Sequence, residues 1–169
     1  SQALHAWFAH VPGLRVVMPS TVADARDLLI SSVLCNDPVI YIDDRWLYEQ
    51  EAELTPIVET AIQSQGPRIT QEGTDITIVG SGHASLLIRE ASKKLLDENI
   101  CSPEVIDIRV LNPFNADIII ESVTKTQHLL VVDSGWISTG FSGEIIAKVL
   151  EKLPVNCLKS PPSRIALPD

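Results

Sequence analysis

Hydrophobic and polar positions along this chain follow strand-like and helix-like periods in turn. The first part predicts a strand, a helix and a second strand, in the order Leu14–Met18, a helix beginning after Ser20 or Thr21, and Val39–Ile42. Either hydroxyl can cap the helix, and Asp24 lies in its first turn, where the helix dipole favours negative charge. The helix is expected to end at Asn36–Pro38, because proline pushes the preceding residue out of the helical region.

The segment from residue 49 to residue 73 lacks this alternation. It opens with the polar run Glu49–Glu53 and contains a turn signal at Gln65–Pro67. Connections of this length without periodicity are uncommon inside one compact domain. We therefore predict an interdomain linker over residues 49–73, with a short helix near Ile57–Ile62.

The rest of the chain again alternates strands with helices. The predicted strands are Ile76–Val79, Glu104–Val110, His128–Val132 and Val155–Leu158, and the predicted helices cover Ala84–Leu95, Asn115–Val123 and Gly143–Leu153. Asn115 is expected to cap the second of these helices. This order predicts the α/β class, with a parallel sheet covered by helices on both faces.

Composition and charge exclude several classes of protein. The net charge of -9 argues against nucleic-acid binding, which needs a basic surface, and no apolar run approaches the roughly 18 residues of a membrane span. The three cysteines, Cys35, Cys101 and Cys157, form no C-x-x-C pair, which indicates buried free thiols in a reducing compartment. The first residues carry neither signal-peptide features nor an initiator Met, so we expect a piece of a longer protein.

The residue types that carry chemistry do not form a complete active site. Gly80–Gly82 joins a strand to a helix, but Ser85 stands where a dinucleotide fingerprint needs Gly or Ala, which indicates a structural turn. The four histidines have no metal-ligand spacing and are expected to be solvated or packed in the core. Asp43 and Asp44 point to opposite sides of a strand, which disfavours an acid–base pair. Asp133 is expected to be an ordinary charge at a strand end.

Several segments, each modest alone, are informative together. They are Ser1–Gln2, Ala6–Leu14, Val16–Ser20, Asp37–Ile40, Leu47–Tyr48, Gly73–Val79, Val105–Arg109, Val131–Asp133, Gly140–Phe141, Gly143–Ile145, Arg164–Ile165 and Pro168–Asp169. In this order they resemble the C-terminal half of the β-subunits of thiamine-diphosphate-dependent 2-oxoacid dehydrogenases, in the transketolase superfamily. The resemblance implies that residues 1–48 end a pyrimidine-binding α/β domain. Residues 74–169 would form a transketolase C-terminal domain, a three-layer α/β fold.

The resemblance also implies an activity. Such an enzyme decarboxylates a 2-oxoacid oxidatively and transfers the acyl group to lipoamide, using thiamine diphosphate and Mg²⁺. The family's catalytic His and Glu would lie before Ser1, so no catalytic residue is assigned here. This part alone is expected to be inactive and to bind neither cofactor. Trp7 would lie near the active-site wall, and the intact enzyme would work in the cytoplasm, or in the mitochondrial matrix of a eukaryote.

An ion site and a set of partners follow from the same resemblance. Main-chain carbonyls at Ser32, Cys35 and Asp37 match a structural potassium site, although Cys35 departs from the acidic residue usual there. The expected partners are an α-subunit and a second β-subunit. Docking to an acyltransferase core is disfavoured, because Lys159 replaces an acidic residue that would attract a basic partner.

Three alternatives stay open at this point. A transketolase or a 1-deoxyxylulose-phosphate-synthase-like transferase would share the fold, although Leu47–Tyr48 and Gly140–Phe141 favour the dehydrogenase β-subunit. A non-catalytic α/β module would use its second domain only for dimerisation or interaction. A Rossmann dehydrogenase would need a dinucleotide site, which the Gly80–Gly82 turn does not supply.

Overall fold

The computed structural model describes residues 3–169, so the Ser1–Gln2 pair quoted for the resemblance lies outside the described residues. The helices are α1 His5–Ala9, α2 Val22–Val33, α3 Gly82–Asp97, α4 Asp117–Thr126 and α5 Phe141–Lys152. The strands are β1 Arg15–Val17, β2 Val39–Tyr41, β3 Arg68–Gln71, β4 Ile76–Gly80, β5 Pro103–Asp107, β6 Val110–Asn112, β7 Leu129–Trp136 and β8 Ser163–Leu167. Single turns of 3₁₀ helix lie at Arg45–Leu47 and Ile62–Ser64.

The strands form two sheets. A three-stranded sheet has the order β2-β1-β6, and a five-stranded sheet has the order β3-β5-β4-β7-β8. β1 runs parallel to β2, β4 runs parallel to both β5 and β7, and β7 runs parallel to β8. β6 and β3 are antiparallel to their neighbours, β1 and β5. The prediction of an α/β fold with a mostly parallel sheet is therefore confirmed.

Helices cover both faces of the five-stranded sheet. Successive residues of β4 point to opposite faces, so Val79 packs in the main core while Ile78 packs with Ile88 of α3. The main core contains side chains from α4 and α5, namely Ile119, Val123, Ile145 and Val149. Every residue of β5 is buried, as expected for a strand inside a sheet that is covered on both faces.

Capping side chains lie at the start of two helices. The Thr21 hydroxyl accepts a hydrogen bond from the Asp24 amide at 3.1 Å, and α2 begins at the next residue after Thr21. The Asn115 side chain accepts from the Asp117 amide at 2.8 Å, where α4 begins. Both predicted capping residues therefore make the expected contact.

The segment 49–73 contains more structure than predicted. The helix expected near Ile57–Ile62 is wrong, because this stretch is exposed up to residue 61 and makes only the 3₁₀ turn Ile62–Ser64. β3 lies in the same segment and pairs antiparallel with β5. The division into residues 1–48, 49–73 and 74–169 stays a prediction.

Two predicted strands are wrong in extent. The strand expected over Glu104–Val110 breaks after β5, because Arg109 takes a left-handed backbone conformation with a φ of 62°. The chain then continues as β6 in the other sheet. The last strand is β8 and not Val155–Leu158, because Val155 is 90% exposed and Asn156 turns the chain with a φ of 62°.

Candidate functional site

Helix α1 carries the residue expected near an active-site wall. His5 is 2% exposed, whereas Trp7 is 72% exposed. Residues two apart on a helix point roughly 200° apart, so an inward His5 directs Trp7 outward. Trp7 borders a cleft of about 720 Å³ together with His10, Phe114 and Lys148. The placement of Trp7 at an active-site wall stays a prediction.

A buried joint connects the two sheets. The chain leaves the five-stranded sheet at Asp107 and enters the three-stranded sheet at Val110. The Met18 amide, just after β1, donates to the Arg109 carbonyl at 2.8 Å. The left-handed backbone of Arg109 turns the chain between the sheets at this point. The joint therefore brings the end of β1 against the crossing from β5 to β6.

Asp24 holds two arginines at this joint. It is 2% exposed, and its Oδ2 accepts from Arg68 Nη2 at 2.7 Å. Its Oδ1 lies 3.0 Å from Arg109 Nε, an ion pair whose N–H does not point well enough at the carboxylate for a hydrogen bond. The Arg109 guanidinium also donates to the Gly66 carbonyl at 3.2 Å and to the Gln65 side chain. The buried charges of Asp24 and Arg109 are thus paired, as interior charges must be.

A second carboxylate is buried beside the first. Asp107, at the end of β5, is fully buried and accepts hydrogen bonds from the Ser20 hydroxyl and, at 2.9 Å, from the Ser85 hydroxyl. Arg89 donates to the Ser20 hydroxyl and carbonyl at 3.0 Å each. Burial raises the pKa of Asp107, and the two hydroxyl donors oppose that rise only in part. One polar network therefore links α2 to β3 and to Arg109, and the other links the residues just before α2 to β5 and α3.

Sequence reasoning missed these networks. It gave Asp24 only a helix-dipole role and left Arg68 inside a linker, although the two residues are 44 positions apart and in contact. No local pattern reveals such a pair. The signal that the sequence does carry is charge inside a predicted apolar strand, as at Asp107 and Arg109 within Glu104–Val110, where burial requires a partner.

The two adjacent acids after β2 bind different partners. Asp43 accepts a hydrogen bond from the Tyr48 hydroxyl, which raises the pKa of Tyr48. Asp44 caps the following 3₁₀ turn by accepting from the Trp46 amide at 3.1 Å. This agrees with the prediction that they form no acid–base pair. Both border a cleft of about 700 Å³ in which the rings of Trp46 and His83 stack with centroids 5.8 Å apart.

The Gly80–Gly82 turn is a packing feature. Gly82 opens α3 with a φ of 52°, a conformation that favours glycine. A Cβ at this position would lie 2.5 Å from Met18 Cε, on the segment that follows β1. Close approach between the two sheets accounts for the glycine, in agreement with the prediction of a structural turn.

The predicted potassium ligands lie at the end of α2 and in the turn after it. The Ser32 carbonyl accepts a hydrogen bond from the Cys35 amide at 3.3 Å, and the Asp37 carboxylate binds Arg15 at 2.7 Å. That hydrogen bond lowers the pKa of Asp37. The mode predicted for Ser32, Cys35 and Asp37 uses main-chain oxygens and does not need the Asp37 carboxylate, which pairs with Arg15. The potassium site stays a prediction.

Four remaining findings concern the cysteine thiols, the docking position Lys159, metal binding and membrane-spanning helices. Cys35, Cys101 and Cys157 are free, as predicted, but partly rather than fully buried. Lys159 is exposed, and its amide donates to the Gln127 carbonyl at 3.0 Å. Within residues 3–169, no group of three or more His, Cys, Asp or Glu side chains could hold a metal ion. In the same range, no helix has the length and apolar character needed to cross a bilayer.

A mostly parallel five-stranded sheet, with α3 on one face and α4 and α5 on the other, is a three-layer α/β domain. Residues 66–169 match the family model described as transketolase, C-terminal domain. The chain therefore belongs to the transketolase C-terminal domain family. A solved structure described as "Split gene transketolase, inactive beta4 tetramer" has the same fold, with a TM-score of 0.74 at 21% identity. The match covers 97% of this chain and 51% of that one.

Curated relatives match both sheets of this chain. It is 36% identical over 165 residues to the mitochondrial 2-oxoisovalerate dehydrogenase subunit beta 2 of Arabidopsis thaliana, covering 98% of this chain and 46% of the relative. It is 34% identical over 172 aligned residues to the pyruvate dehydrogenase E1 component subunit beta of Bacillus subtilis (100% and 51%). The mitochondrial pyruvate dehydrogenase E1 subunit beta of Homo sapiens is 33% identical over 168 residues (98% and 46%). The chain thus spans about half the length of the curated relatives it matches, and the predicted family resemblance is confirmed.

Proposed function

We propose that this chain is part of a β-subunit of a thiamine-diphosphate-dependent 2-oxoacid dehydrogenase. The proposed reaction is oxidative decarboxylation of a 2-oxoacid with transfer of the acyl group to lipoamide. One observation carries the proposal: the similarity to pyruvate and 2-oxoisovalerate dehydrogenase β-subunits covers 89% to 100% of the chain, through both sheets.

Exposed aromatic side chains support a role in subunit assembly. Trp46 is 76% exposed, Trp7 is 72% exposed and Tyr48 is 61% exposed. Large exposed apolar patches on soluble proteins often mark interaction sites, and aromatic side chains are enriched at interfaces. We infer contacts with an α-subunit and a second β-subunit, and a place for Trp7 in the active-site wall.

Thiamine diphosphate with Mg²⁺ would supply the chemistry of decarboxylation in the intact enzyme. The residues of this chain would shape the pocket and exclude water, and the catalytic His and Glu would lie elsewhere in the assembly. Main-chain oxygens of Ser32, Cys35 and Asp37 would hold a potassium ion at the turn after α2. Residues 1–48 would end the pyrimidine-binding domain, 49–73 would link it, and 74–169 would form the C-terminal domain. The proposed location is the cytoplasm, or the mitochondrial matrix in a eukaryote.

Docking to an acyltransferase core would not depend on attraction between an acidic side chain of this chain and a basic partner at position 159. Lys159 is exposed and carries a positive charge where an acidic residue would attract a basic partner. Lys159→Glu should therefore strengthen binding to a basic docking domain, measured by surface plasmon resonance at low salt. Lys93→Glu makes the same charge change at an exposed position of α3. An equal gain from both variants would show a general charge effect and no docking role for Lys159.

The test of the proposed function is the activity of the native assembly. The assembly that contains this chain is purified through an affinity tag and supplied with thiamine diphosphate and Mg²⁺. Release of labelled CO₂ from pyruvate and from a branched-chain 2-oxoacid is measured, together with acylation of a free lipoyl domain. Decarboxylation with lipoyl acylation supports the proposal.

Other outcomes identify the alternatives. Turnover that requires a sugar-phosphate acceptor in place of the lipoyl domain would indicate a transketolase or a 1-deoxyxylulose-phosphate-synthase-like transferase. Absence of turnover with all of these substrates, in an assembly that still associates through this chain, would indicate a non-catalytic interaction module.

A further inference from the structure

A buried histidine–aspartate pair joins α1 to the five-stranded sheet. His5 Nε2 lies 2.8 Å from Asp133 Oδ1, and the two side chains are 1% and 4% exposed although 128 positions separate them. Asp133 accepts two further hydrogen bonds at 2.8 Å, from the Gly135 and Ser142 amides. Ser142 lies in the first turn of α5, so the carboxylate also meets the positive end of that helix dipole.

These partners favour an ionised carboxylate. Burial by itself raises the pKa of Asp133, but the hydrogen bond from His5 and the two amide donors outweigh burial, so the pKa lies below its ordinary value. Against a charged acceptor, His5 presents an N–H at Nε2. The pair is therefore directional, because it fixes the orientation of the ring as well as its position.

The surrounding residues leave the pair little room to move. A Cβ at Gly135 would lie 3.1 Å from Asp133 Oδ1 and 3.2 Å from His5 Cε1. A Cβ at Gly140 would lie 3.1 Å from Asp133 Oδ2. The edge of the His5 ring meets Phe141, with ring centroids 6.4 Å apart. The packing thus holds both side chains in one arrangement.

Stability alone does not account for this pair. His5 Nδ1 is buried without a hydrogen-bond partner. An unsatisfied buried polar atom offsets much of the gain from a buried ion pair, and an apolar side chain of similar size avoids that cost. What an apolar side chain lacks is a preferred direction of contact. We therefore expect the pair to specify an orientation more than to stabilise the fold.

The pair sets the orientation of α1, which is only five residues long. A helix this short has no independent stability in water, so its contacts decide how it lies. With His5 anchored inward, Trp7 is held outward beside the cleft of about 720 Å³. The same cleft is lined by α5, through Phe141 and Lys148, and the same Asp133 carboxylate binds the first turn of α5. One carboxylate thus contacts two of the elements that border the cleft.

We propose that His5 and Asp133 are positioning residues, which orient Trp7 and the start of α5 where both line this cleft. The pair acts through Trp7 and α5 and does not itself contact a reacting group. The proposal rests on the proposed function for the role of the cleft in an active-site wall. The orientation of α1 by the pair is independent of that role and can be tested separately.

The test uses the full protein that carries this chain. His5→Gln keeps an N–H donor near the Nε2 position, His5→Leu removes it, and Asp133→Asn removes the charge. Hydrogen–deuterium exchange of the α1 amides should accelerate about tenfold in His5→Leu and Asp133→Asn, and should stay near the parent rate in His5→Gln. His128→Leu is the control, because His128 lies just before β7, contacts the Asp75 and Thr126 carbonyls and should leave α1 unchanged.

Two results would overturn the proposal. The first is equal acceleration in His5→Gln and His5→Leu, which would mean that the donor is not needed. The second is faster exchange throughout β4, β5 and β7, which would show loss of general stability and no specific effect on α1. If His5→Leu does not fold, the comparison of His5→Gln with Asp133→Asn decides the same question.

Enzyme activity is a second measurement, which a purely structural role of His5 and Asp133 would leave unchanged. In an assembly that turns over a 2-oxoacid, Asp133→Asn and His5→Leu should lower kcat/KM about tenfold when measured well below their melting temperatures, whereas His5→Gln should keep it near the parent value. If the parent assembly has no 2-oxoacid activity while exchange in α1 follows the predicted order, the proposed function fails and the positioning role stands.

Discussion

Replacing Asp24 by asparagine removes a buried charge between the two sheets while keeping the size of the side chain. The carboxylate lies 2.7 Å from Arg68 Nη2 and 3.0 Å from Arg109 Nε, and it is 3% exposed. The Arg109 side chain is 10% exposed, so without Asp24 it keeps a buried charge that has no counter-charge. The Arg68 side chain is 45% exposed and can be hydrated instead.

The expected loss in the free energy of unfolding for Asp24→Asn follows from this difference in burial between Arg109 and Arg68. Removing one partner of a buried ion pair costs about 3–5 kcal/mol, because the remaining charge stays desolvated. Arg109 keeps neutral partners in Gln65 and the Gly66 carbonyl, which favours the lower end of that range, about 3 kcal/mol. The half-exposed pair with Arg68 contributes at most about 1 kcal/mol, so Arg68→Ala should cost no more than that.

Urea unfolding of the full protein that carries this chain measures the effect as a shift of the midpoint at constant slope. Asp27→Asn is the matched control, since it makes the same change on the same helix. Asp27 pairs at 2.7 Å with its neighbour Arg26 and is 34% exposed, so its loss should cost less than about 1 kcal/mol. A cost for Asp24→Asn below about 1 kcal/mol, or equal to that of the control, would refute the argument that a buried charge holds this joint.

Three further predictions test other parts of the structure. Burial raises the pKa of Asp107 above 3.8, so the folded state binds the proton more tightly and stability falls as pH rises from 3.8 through the raised pKa. Asp107→Asn should lose that pH dependence, and the urea midpoint of the variant relative to the parent should rise over this range; a flat difference curve would contradict it. Gly82→Ala should cost about 1–3 kcal/mol by thermal unfolding, because the new Cβ would meet Met18 in a backbone conformation that favours glycine. Gly66→Ala, with no atom within 4 Å of the new Cβ, should cost far less, and similar losses would count against the packing argument. Trp7→Ala should change stability by less than about 0.5 kcal/mol, since Trp7 is 72% exposed, yet weaken subunit association in sedimentation or lower activity. A loss of stability like that of a core substitution would instead give Trp7 a structural role.

The helices and strands that could be predicted are those whose hydrophobic periodicity and capping residues lie within one short segment of the sequence. β1, α2 and β2 follow from local periodicity and from a capping hydroxyl at Thr21. β3 could not be predicted, because its side chains are polar or only partly buried and its pairing with β5 is a long-range contact. The break between β5 and β6 depends on the left-handed backbone of Arg109, which the sequence does not show for a residue other than glycine.

The candidate site shows the same limit more strongly. The family resemblance supplies a predicted place for Trp7 at an active-site wall, and strand geometry separates Asp43 from Asp44. The pairing of His5 with Asp133 could not, since each residue alone has an ordinary interpretation and 128 positions separate them. The ordinary strand-end charge predicted at Asp133 is wrong, because Asp133 lies buried inside β7, where it accepts from the Ser142 amide of α5 and contacts His5 of α1. Such contacts become visible only once tertiary packing is known.

Because β6 belongs to the three-stranded sheet and not to the sheet of β5, the two parts of the chain would stay paired after proteolytic cleavage between them. β6 follows β5 along the chain, yet it pairs with β1, with Val16 opposite Asn112 and Val17 opposite Val110. A protease acting on the exposed stretch 51–61 would sever the covalent link between residues 1–48 and 74–169 without touching this pairing. The two fragments should therefore stay associated, whereas residues 74–169 produced alone would carry an unpaired strand edge that invites aggregation. We therefore expect the folding unit to include the three-stranded sheet, which lies partly outside residues 66–169 of the family match.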